Sequence, residues 1–240
     1  MRVRFRFSKL GKVRFTSHRD VARLWERALR RAQLPVASTE GFAPRPKVHF
    51  GLALPTGYES LAEYLDVDLR EPEAVSLDID TLPEQLTPLL PEGISVDAAD
   101  VVDPKAPSLQ EAVTACEWRI EVPGLAIEAA RREVERLLAA PTLPVVRQRK
   151  GKEVHDDIRP YLWELVVAGP IAAAEPGTEL RAVFGTQPRG LRPAELLAAF
   201  EPPVIQARVC RLHQWITLGN TRREPLSAAA ARAEHAEARA

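Results

Sequence analysis

The sequence predicts an α+β fold made of two tandem ferredoxin-like (βαββαβ) units with antiparallel sheets. Residues 1–9 alternate between basic and apolar side chains, which is typical of a strand. Residues 17–33 place apolar side chains at helical spacing behind a Ser17 cap. The order strand, helix, strand, strand, helix, strand then occurs twice along the 240 residues.

The first unit is predicted to span residues 1–106. In its first strand Val3 and its alternate neighbours face the core, and the arginines between them form a basic outer face. A helix follows from Ser17 until Pro35 ends it. The remaining predicted elements are a strand region at 38–57, a strand at 63–69, a short helix at 82–90 and a strand at 94–102.

The second unit is predicted to span residues 107–220. Its predicted elements are a strand at 117–122, a helix at 127–140, an extended arm at 143–148 that pairs with 160–168 around a charged hairpin tip, a strand at 179–184, a helix at 193–200 and a strand at 204–216. Residues 221–240, rich in Ala, Arg and Glu, are predicted to be a frayed or disordered tail.

Composition favours a cytoplasmic protein. Two cysteines, Cys116 and Cys210, provide no disulfide framework and fit a reducing compartment. No apolar run approaches the roughly 20 residues that a membrane span needs, and the alternating N-terminus does not have the form of a signal peptide. We therefore expect no membrane association.

Charge is balanced overall, with 33 basic and 33 acidic residues, but it is unevenly distributed. The first fifty residues are strongly basic and the next sixty strongly acidic. This asymmetry predicts a surface that faces a polyanion and an opposite acidic surface. The alternative is that the two oppositely charged segments lie against each other.

Standard catalytic and cofactor motifs are absent. The chain has no P-loop, dinucleotide fingerprint, nucleophile elbow or His-Glu metal helix, and too few cysteines for an iron–sulfur cluster. The histidines, at 18, 49, 155, 213 and 235, lack the spacing of metal ligands. We predict no metal and no cofactor.

The stretch 38–57, STEGFAPRPKVHFGLALPTG, is the centre of the prediction. Its prolines cannot donate to a sheet, which indicates an edge or a loop. A loop braced by proline and carrying Arg45, Lys47 and His49 suits phosphate, because arginine offers a planar fork and lysine a point charge. The alternative is a strand that enters the core through a loop with solvated charges.

His18 is the one candidate catalytic residue. A neutral imidazole at the start of a helix is able to act as a general base, with Lys9, Lys12 or Arg45 stabilising developing charge in a metal-independent RNA cleavage. The alternative is a first-turn residue beside the Ser17 cap.

A second basic element lies between residues 147 and 159, with Tyr161 and Trp163 nearby. Cations interleaved with aromatic rings are typical of single-stranded RNA recognition; the alternative is a solvated hairpin. The full set of predicted RNA-contacting residues is Arg4, Arg6, Lys9, Lys12, Arg19, Arg23, Arg45, Lys47, His49, Arg147, Arg149, Lys150, Lys152 and Arg159.

Several motifs give the chain a resemblance to a known family. They are FTSHRD at 15–20, RRA at 30–32, LPV at 34–36, EGFAPRPK at 40–47, GLALP at 51–55, AEYLDV at 62–67, IRP at 158–160 and GLRP at 190–193. Together they resemble the radical-SAM-associated bacterial protein family, and the segment at 41–55 is the most distinctive part.

The resemblance implies a separately encoded radical-SAM enzyme as partner and an RNA-related setting, but it assigns no catalytic residue. We therefore predict a non-catalytic accessory module that binds RNA, either tRNA or rRNA. The alternatives are an RNA-processing or RNA-modifying enzyme that uses His18, and a protein-interaction module that docks its partner through the acidic segment.

Overall fold

The structure is a computed structural model, and it describes residues 1–149, 151–173, 175–219 and 221–226. These residues form an α+β fold with mostly antiparallel sheets and few helices. The predicted α+β class is therefore confirmed. The described chain divides into a first unit, which comprises residues 1–113 and the described residues from 214 to 226, and a second unit, residues 114–213. The first unit thus extends beyond the predicted boundary at residue 106 and also takes in residues that follow the second unit.

The elements follow one another along both units. In chain order they are β1 (Arg2–Lys9), α1 (His18–Arg31), β2 (Val48–Phe50), β3 (Glu59–Asp68), α2 (Leu82–Leu86), β4 (Ile94–Val102), α3 (Leu109–Ala112), β5 (Ala115–Pro123), α4 (Ile127–Ala139), β6 (Pro144–Arg149), β7 (Lys152–Asp157), β8 (Leu162–Pro170), β9 (Gly177–Gly185), α5 (Pro193–Leu197), β10 (Val209–Leu218) and β11 (Thr221–Arg223). Short 3-10 helices lie at Gly11–Phe15, Glu73–Ser76, Ile79–Thr81, Thr87–Leu89 and Arg159–Tyr161.

Strand β1 lies between β3 and β4 in the sheet of the first unit. It pairs antiparallel with β3, Val3 opposite Val67, and with β4, Lys9 opposite Ile94. Strand β2 pairs antiparallel with β3, where Val48 also lies opposite Val67. These strands therefore run in the order β4-β1-β3-β2.

The core of the first unit forms where β1 meets α1. Phe5 and Phe7 pack on Trp25 with ring centroids 5.7 and 5.1 Å apart, and Leu29 on the next turn of α1 is equally buried. Burying a side chain of this size stabilises a fold by about 1.5–3 kcal/mol. The predicted apolar faces of the first strand and first helix are confirmed.

Helix α1 begins where the sequence predicts. The Ser17 side chain accepts a hydrogen bond from the Asp20 N–H at 3.2 Å, which caps the helix. The helix ends at Arg31, slightly earlier than predicted, because Gln33 turns into the left-handed region with φ of 56°.

Two other predicted elements are shorter in the structure. The predicted strand region 38–57 is a strand only at Val48–Phe50. The predicted helix 82–90 divides into α2 and a 3-10 turn, since Pro88 lacks the N–H that would continue it. Helix α3, which the sequence analysis missed, starts at a Ser108–Glu111 capping box.

In the second unit the sheet order is β10-β5-β9-β8, with β10 contributing its residues up to His213. Strand β9 pairs antiparallel with both neighbours, Ala182 lying opposite Trp118 of β5 and Leu165 of β8. The strands predicted at 117–122 and 179–184 and the helix predicted at 127–140 are confirmed. Strand β10 begins at Val209, five residues later than predicted.

The predicted pairing of 143–148 with 160–168 is wrong. Strand β6 instead pairs with β7, Val146 opposite His155, in a two-stranded hairpin. Gly151 between these strands has φ of 76°, which allows a tight turn at a position that the sequence analysis treated as a broad charged tip. Strand β8 is left to pair with β9.

Residues 221–226, which we call the C-terminal strap, are ordered, in contrast to the predicted disordered tail. Strand β11 pairs antiparallel with the end of β10, Leu218 opposite Thr221. Arg4 Nη1 donates to the carbonyl of Pro225 at 3.4 Å, and Leu226 is buried in a cluster with Tyr64. The rest of the predicted tail, 227–240, lies outside the described residues.

Candidate nucleic-acid interface

Helix α1 carries a row of arginines on its exposed face. Because residues four apart lie one above the other on a helix, Arg19, Arg23 and Arg27 form one row, which residues 30–31 continue. All of these side chains are exposed. Arg23 forms an exposed ion pair with Asp20 at 3.3 Å, which stabilises little. Within the described part of the chain, the other arginines of the row form no ion pair.

A groove of about 640 Å³ lies along this row. Its charged lining is Arg23, Arg27 and Arg30 together with Asp20 and Glu26. The hydrogen bond from Ser17 lowers the pKa of Asp20, so this carboxylate is ionised at neutral pH. Three guanidinium groups against two carboxylates leave the groove with a net positive charge.

Residues 37–47, which we call the proline loop, form a braced ribbon. The Thr39 N–H donates to the Arg45 carbonyl at 2.8 Å, and the Lys47 N–H donates to the Ala37 carbonyl at 2.8 Å. Thr39 Oγ1 in turn accepts from the Arg45 N–H at 3.0 Å. Gly41 has φ of 121°, a conformation that a residue with a Cβ rarely adopts, and it lies at the tip. The loop is therefore braced by hydrogen bonds between its own two arms.

The basic side chains of the proline loop and of β2, which follows it, differ in how far they are engaged within the protein. Arg45 and His49 are exposed and Lys47 is half-buried. His49 Nε2 lies 3.5 Å from Asp68 Oδ2, although the nearer partner of Asp68 is Arg2 at 2.7 Å. Neither Arg45 nor Lys47 forms an ion pair with any residue that the structure describes. These two side chains are therefore available to an external anion.

The predicted basic outer face of β1 is buried, which corrects the expectation for Arg4 and Arg6. Arg4, 5 % exposed, forms a two-pronged pair with Asp66 at 2.7 and 2.9 Å. Arg6, 4 % exposed, lies 3.9 Å from Asp97 and 3.6 Å from Glu224. The reason is that β1 lies between two strands and the C-terminal strap supplies groups on its outer side. In this structure these arginines stabilise the first unit and do not face solvent.

Lys9 is also internal, whereas Lys12 is exposed. Lys9 Nζ donates to the backbone carbonyls of Arg14 at 3.1 Å and Thr16 at 2.9 Å. Burial lowers the pKa of Lys9, and the charge of Glu63 opposes that shift. Lys9 therefore stabilises the turn that leads into α1. Lys12, three residues later, is exposed to solvent.

His18 is exposed at the first position of α1, and its ring meets Phe50 edge-on at 5.2 Å between centroids. Together with Lys9 and Glu63 it lines a depression of about 10 Å³. A space of that size holds about one water molecule and no nucleotide. The arrangement brings a histidine, a lysine and a carboxylate to one place without forming a preorganised substrate pocket.

Arg159 of the second basic element has a structural role. Its guanidinium donates to three backbone carbonyls, those of Leu138, Ala140 and Leu162, at 3.0, 3.1 and 2.9 Å. Two of these carbonyls lie at the C-terminal end of α4, where carbonyl groups lack helical partners. Arg159 thus caps α4 and has little capacity left for phosphate.

Arg147 is likewise engaged, since its Nε lies 3.2 Å from Asp156 Oδ2 across the β6–β7 hairpin. The side chains of Arg149 and Lys152, and all of Lys150, lie outside the described residues. The second basic element therefore remains a prediction at those three positions, and Arg147 and Arg159 are paired within the second unit.

Three exposed residues were missing from the predicted site: Arg27, Arg30 and Phe42. Helical spacing from Arg19 and Arg23 identifies the two arginines, and the sequence analysis could have included them. Phe42 lies in the proline loop and is fully exposed. No pattern in the sequence indicates that Phe42 is exposed, because a phenylalanine in an alternating apolar and polar stretch ordinarily points into a core.

Three general findings accompany the site. The described residues contain no group of three or more His, Cys, Asp or Glu side chains placed to hold a metal ion. Among them, no helix combines the length and apolarity that crossing a bilayer requires. Both cysteines are buried, and they do not form a disulfide bond with each other.

Comparisons with known proteins define a family. No curated protein matches the sequence. One similar solved structure is a chain of the "Crystal Structure of a Cbf5-Nop10-Gar1 Complex", with 8 % identity and a TM-score of 0.45 over 88 % of this chain and 48 % of that one, so this chain spans about half the length of that chain. A family model described as "Uncharacterized protein conserved in bacteria (DUF2344)" matches residues 2–193. Because this match covers most of the sequence, the chain belongs to that bacterial family.

Proposed function

We propose that this protein is a non-catalytic accessory module of a cytoplasmic radical-SAM system and that it binds RNA, either tRNA or rRNA. The observation that carries the proposal is the set of exposed cations on α1 and the proline loop. Within the described chain, most of them form no ion pair. Arginine forks and lysine ammonium groups on a rigid support suit phosphates, and phosphate contacts dominate RNA affinity.

We further propose that each unit is ferredoxin-like. The strand order β4-β1-β3-β2 of the first unit and the order β10-β5-β9-β8 of the second fit this architecture. RNA-binding domains with a four-stranded sheet often stack bases on the open sheet face. In the first unit the C-terminal strap contributes Glu224 and Leu226 to that side, which favours RNA binding by α1 and the proline loop instead.

The radical-SAM partner is supported by the motif resemblance, and the exposed part of the acidic segment offers a surface on which a partner could dock. The acidic segment separates into two parts. Glu59, Glu63 and Asp66 are buried, whereas other carboxylates remain exposed. The exposed set after β3 includes Glu71, Glu73, Asp78, Asp80 and Glu84. We propose this exposed set as the partner-docking surface.

Binding of labelled tRNA over a range of salt concentrations tests the proposal. We expect the Arg45→Ala, Lys47→Ala double variant to bind every tRNA more weakly and to lower the salt slope by about 1.4, since each single-stranded phosphate that a cation neutralises accounts for roughly 0.7 of the slope. The matched control is Lys105→Ala with Arg131→Ala, which removes two exposed cations elsewhere and leaves the slope unchanged. Salt-independent binding by the wild type would overturn the proposal.

Inspection of the incubated RNA, together with recovery of bound proteins and RNA from cells, separates the two alternatives. The enzyme alternative rests on His18, which lies beside Lys9 and Glu63. RNA that is altered by the wild type and left intact by His18→Ala would replace the accessory role with that enzyme. Retention of a radical-SAM protein without any RNA would identify a protein-interaction module.

A further inference from the structure

We propose that Phe42 stacks on a nucleobase, so that the RNA bound at the proline loop is unpaired there. This inference rests on the proposed RNA-binding function and names the substrate class of the same surface. A base in a duplex is already stacked on both faces, whereas an unpaired base offers a face to an aromatic ring.

The first argument is the exposure of Phe42. Its relative accessibility is 112 %, whereas Phe5 and Phe7 of the same unit are 0 % and 1 % exposed. Phe15, another exposed phenylalanine of the first unit, has the Arg14 guanidinium 4.7 Å from its centroid. Among the described residues nothing stacks on Phe42, so both faces of its ring are open.

The second argument is the rigidity of the support. Phe42 lies at the tip of the proline loop, between arms that are joined by the Thr39–Arg45 and Ala37–Lys47 backbone hydrogen bonds. The β-bridge between Ser38 and Pro46 further joins the two arms. A preformed loop loses little conformational entropy on binding, which favours a side chain that acts by stacking.

The third argument is the charge around the ring. Arg45 follows Phe42 by three residues and Lys47 by five, and both are free of internal ion pairs in the described chain. The one carboxylate of the loop is Glu40, which is exposed. An aromatic ring beside a net positive charge is the combination that single-stranded RNA requires, because the ring takes a base while the cations take phosphates. A purely apolar protein contact would have no use for these cations.

The test compares two labelled probes of one sequence, a short single-stranded RNA and its fully paired duplex, by fluorescence anisotropy. We expect Phe42→Ala to weaken single-strand binding by roughly 5- to 150-fold, the range that corresponds to the loss of one stacked base. We expect duplex binding to be unchanged. Phe42→Trp should retain single-strand affinity, because indole also presents a stacking face.

Phe42→Leu distinguishes stacking from simple apolar contact. It keeps an apolar side chain of similar reach but has no aromatic face, so we expect it to bind single-stranded RNA as weakly as Phe42→Ala. A Phe42→Leu variant with wild-type affinity would overturn the inference in favour of an apolar contact. Because Phe42 packs on none of the described residues, an unchanged thermal unfolding temperature serves as the folding control.

The results that would contradict this inference differ from those that would contradict the proposed function. If Phe42→Ala binds the single strand as the wild type does while binding still falls with salt, the stacking inference is wrong and the RNA-binding proposal stands. If the wild type binds neither probe, the RNA-binding proposal itself is wrong, and with it the inference. Equal wild-type affinity for single strand and duplex would also overturn the inference.

Discussion

Strand β1 and the proline loop carry cations at the same alternate spacing, yet they use them differently. Arg4 of β1 lies between two strands and faces Asp66 directly across from it. Arg45 of the proline loop lies beyond the paired strands, where its backbone contacts only the other arm of the loop. Alternating cations therefore indicate extended backbone in both places, and the neighbouring strand decides whether they become structural.

The two arginines also differ in how much they contribute to stability. Arg4 and Asp66 are both removed from water, with 6 % and 4 % of their side chains exposed, so each depends on the other to offset the cost of desolvation. Arg45 keeps its hydration and contributes almost nothing to stability, as is usual for an exposed charge. We therefore expect mutation of the Arg4–Asp66 pair to change the stability of the fold, and mutation of Arg45 to change RNA binding.

The largest expected effect is on Arg4. Arg4→Ala leaves the Asp66 carboxylate buried without its partner, and we expect the free energy of unfolding to fall by about 3–5 kcal/mol. Urea denaturation measures this decrease. Under the same conditions Arg45→Ala should remain within about 0.5 kcal/mol of the wild type.

A second variant shows that the destabilisation arises from the unpaired charge. Replacing both partners, Arg4→Met with Asp66→Leu, removes the charge pair while filling similar volume, and should recover most of the stability. If Arg4→Ala is as stable as the wild type, the Arg4–Asp66 pair does not stabilise the fold. The cations of β1 and of the proline loop would then not differ in their contribution to stability.

The intermediate effect concerns the row on α1. Removing two cations of the groove, with Arg27→Ala and Arg30→Ala, should lower the salt slope of RNA binding by about 1.4 and leave the unfolding free energy nearly unchanged. Glu26→Gln removes a carboxylate from the same groove and should strengthen binding, measured in the same titration. An unaltered slope in the double variant would place the bound phosphates away from α1.

The smallest effect concerns Asp68 of β3, which is approached by Arg2 of β1 and by His49 of β2. Burial acts to raise the pKa of Asp68, but the hydrogen bond and charge of Arg2, followed by His49, outweigh burial and lower it. Stability from this ionised group is therefore full above its unfolded pKa of about 4 and is lost as pH falls through its folded value.

Unfolding free energies measured at pH 7 and below about pH 4 test this linkage. We expect the wild type to lose more stability on acidification than Asp68→Asn, by less than about 1 kcal/mol, the size of a partly exposed ion pair. Parallel pH profiles for the two proteins would show that Asp68 is not paired in solution.

Local periodicity was enough to predict some of these elements. Strand β4 begins at Ile94 and ends at Val102, as predicted, and the Ser17 cap sets the start of α1. The burial of Arg4 was not predictable, because it depends on a strand more than sixty residues away. The β6–β7 hairpin was missed because a glycine turn inside a charged run has no hydrophobic signal.

For the candidate site, the sequence identified the cations but not which of them face solvent. Arg19, Arg23 and Arg45 are exposed as expected, whereas Arg4 and Arg6 are buried. Exposure is a property of the assembled sheet, and the C-terminal strap that helps to bury Arg6 looks like an ordinary polar tail in the sequence. Interactions between distant segments leave no local pattern to read.

The C-terminal strap also sets an order for folding during synthesis. The second unit is one continuous segment, residues 114–213, so all of it is available before residue 214 is added. The first unit needs residues on both sides of that segment, since Arg4 contacts Pro225 across a separation of 221 residues. Domains fold as units while the chain is still growing. Strand β1 therefore waits for the C-terminal strap, and the unit that carries the candidate RNA surface is completed only after the second unit has been synthesised.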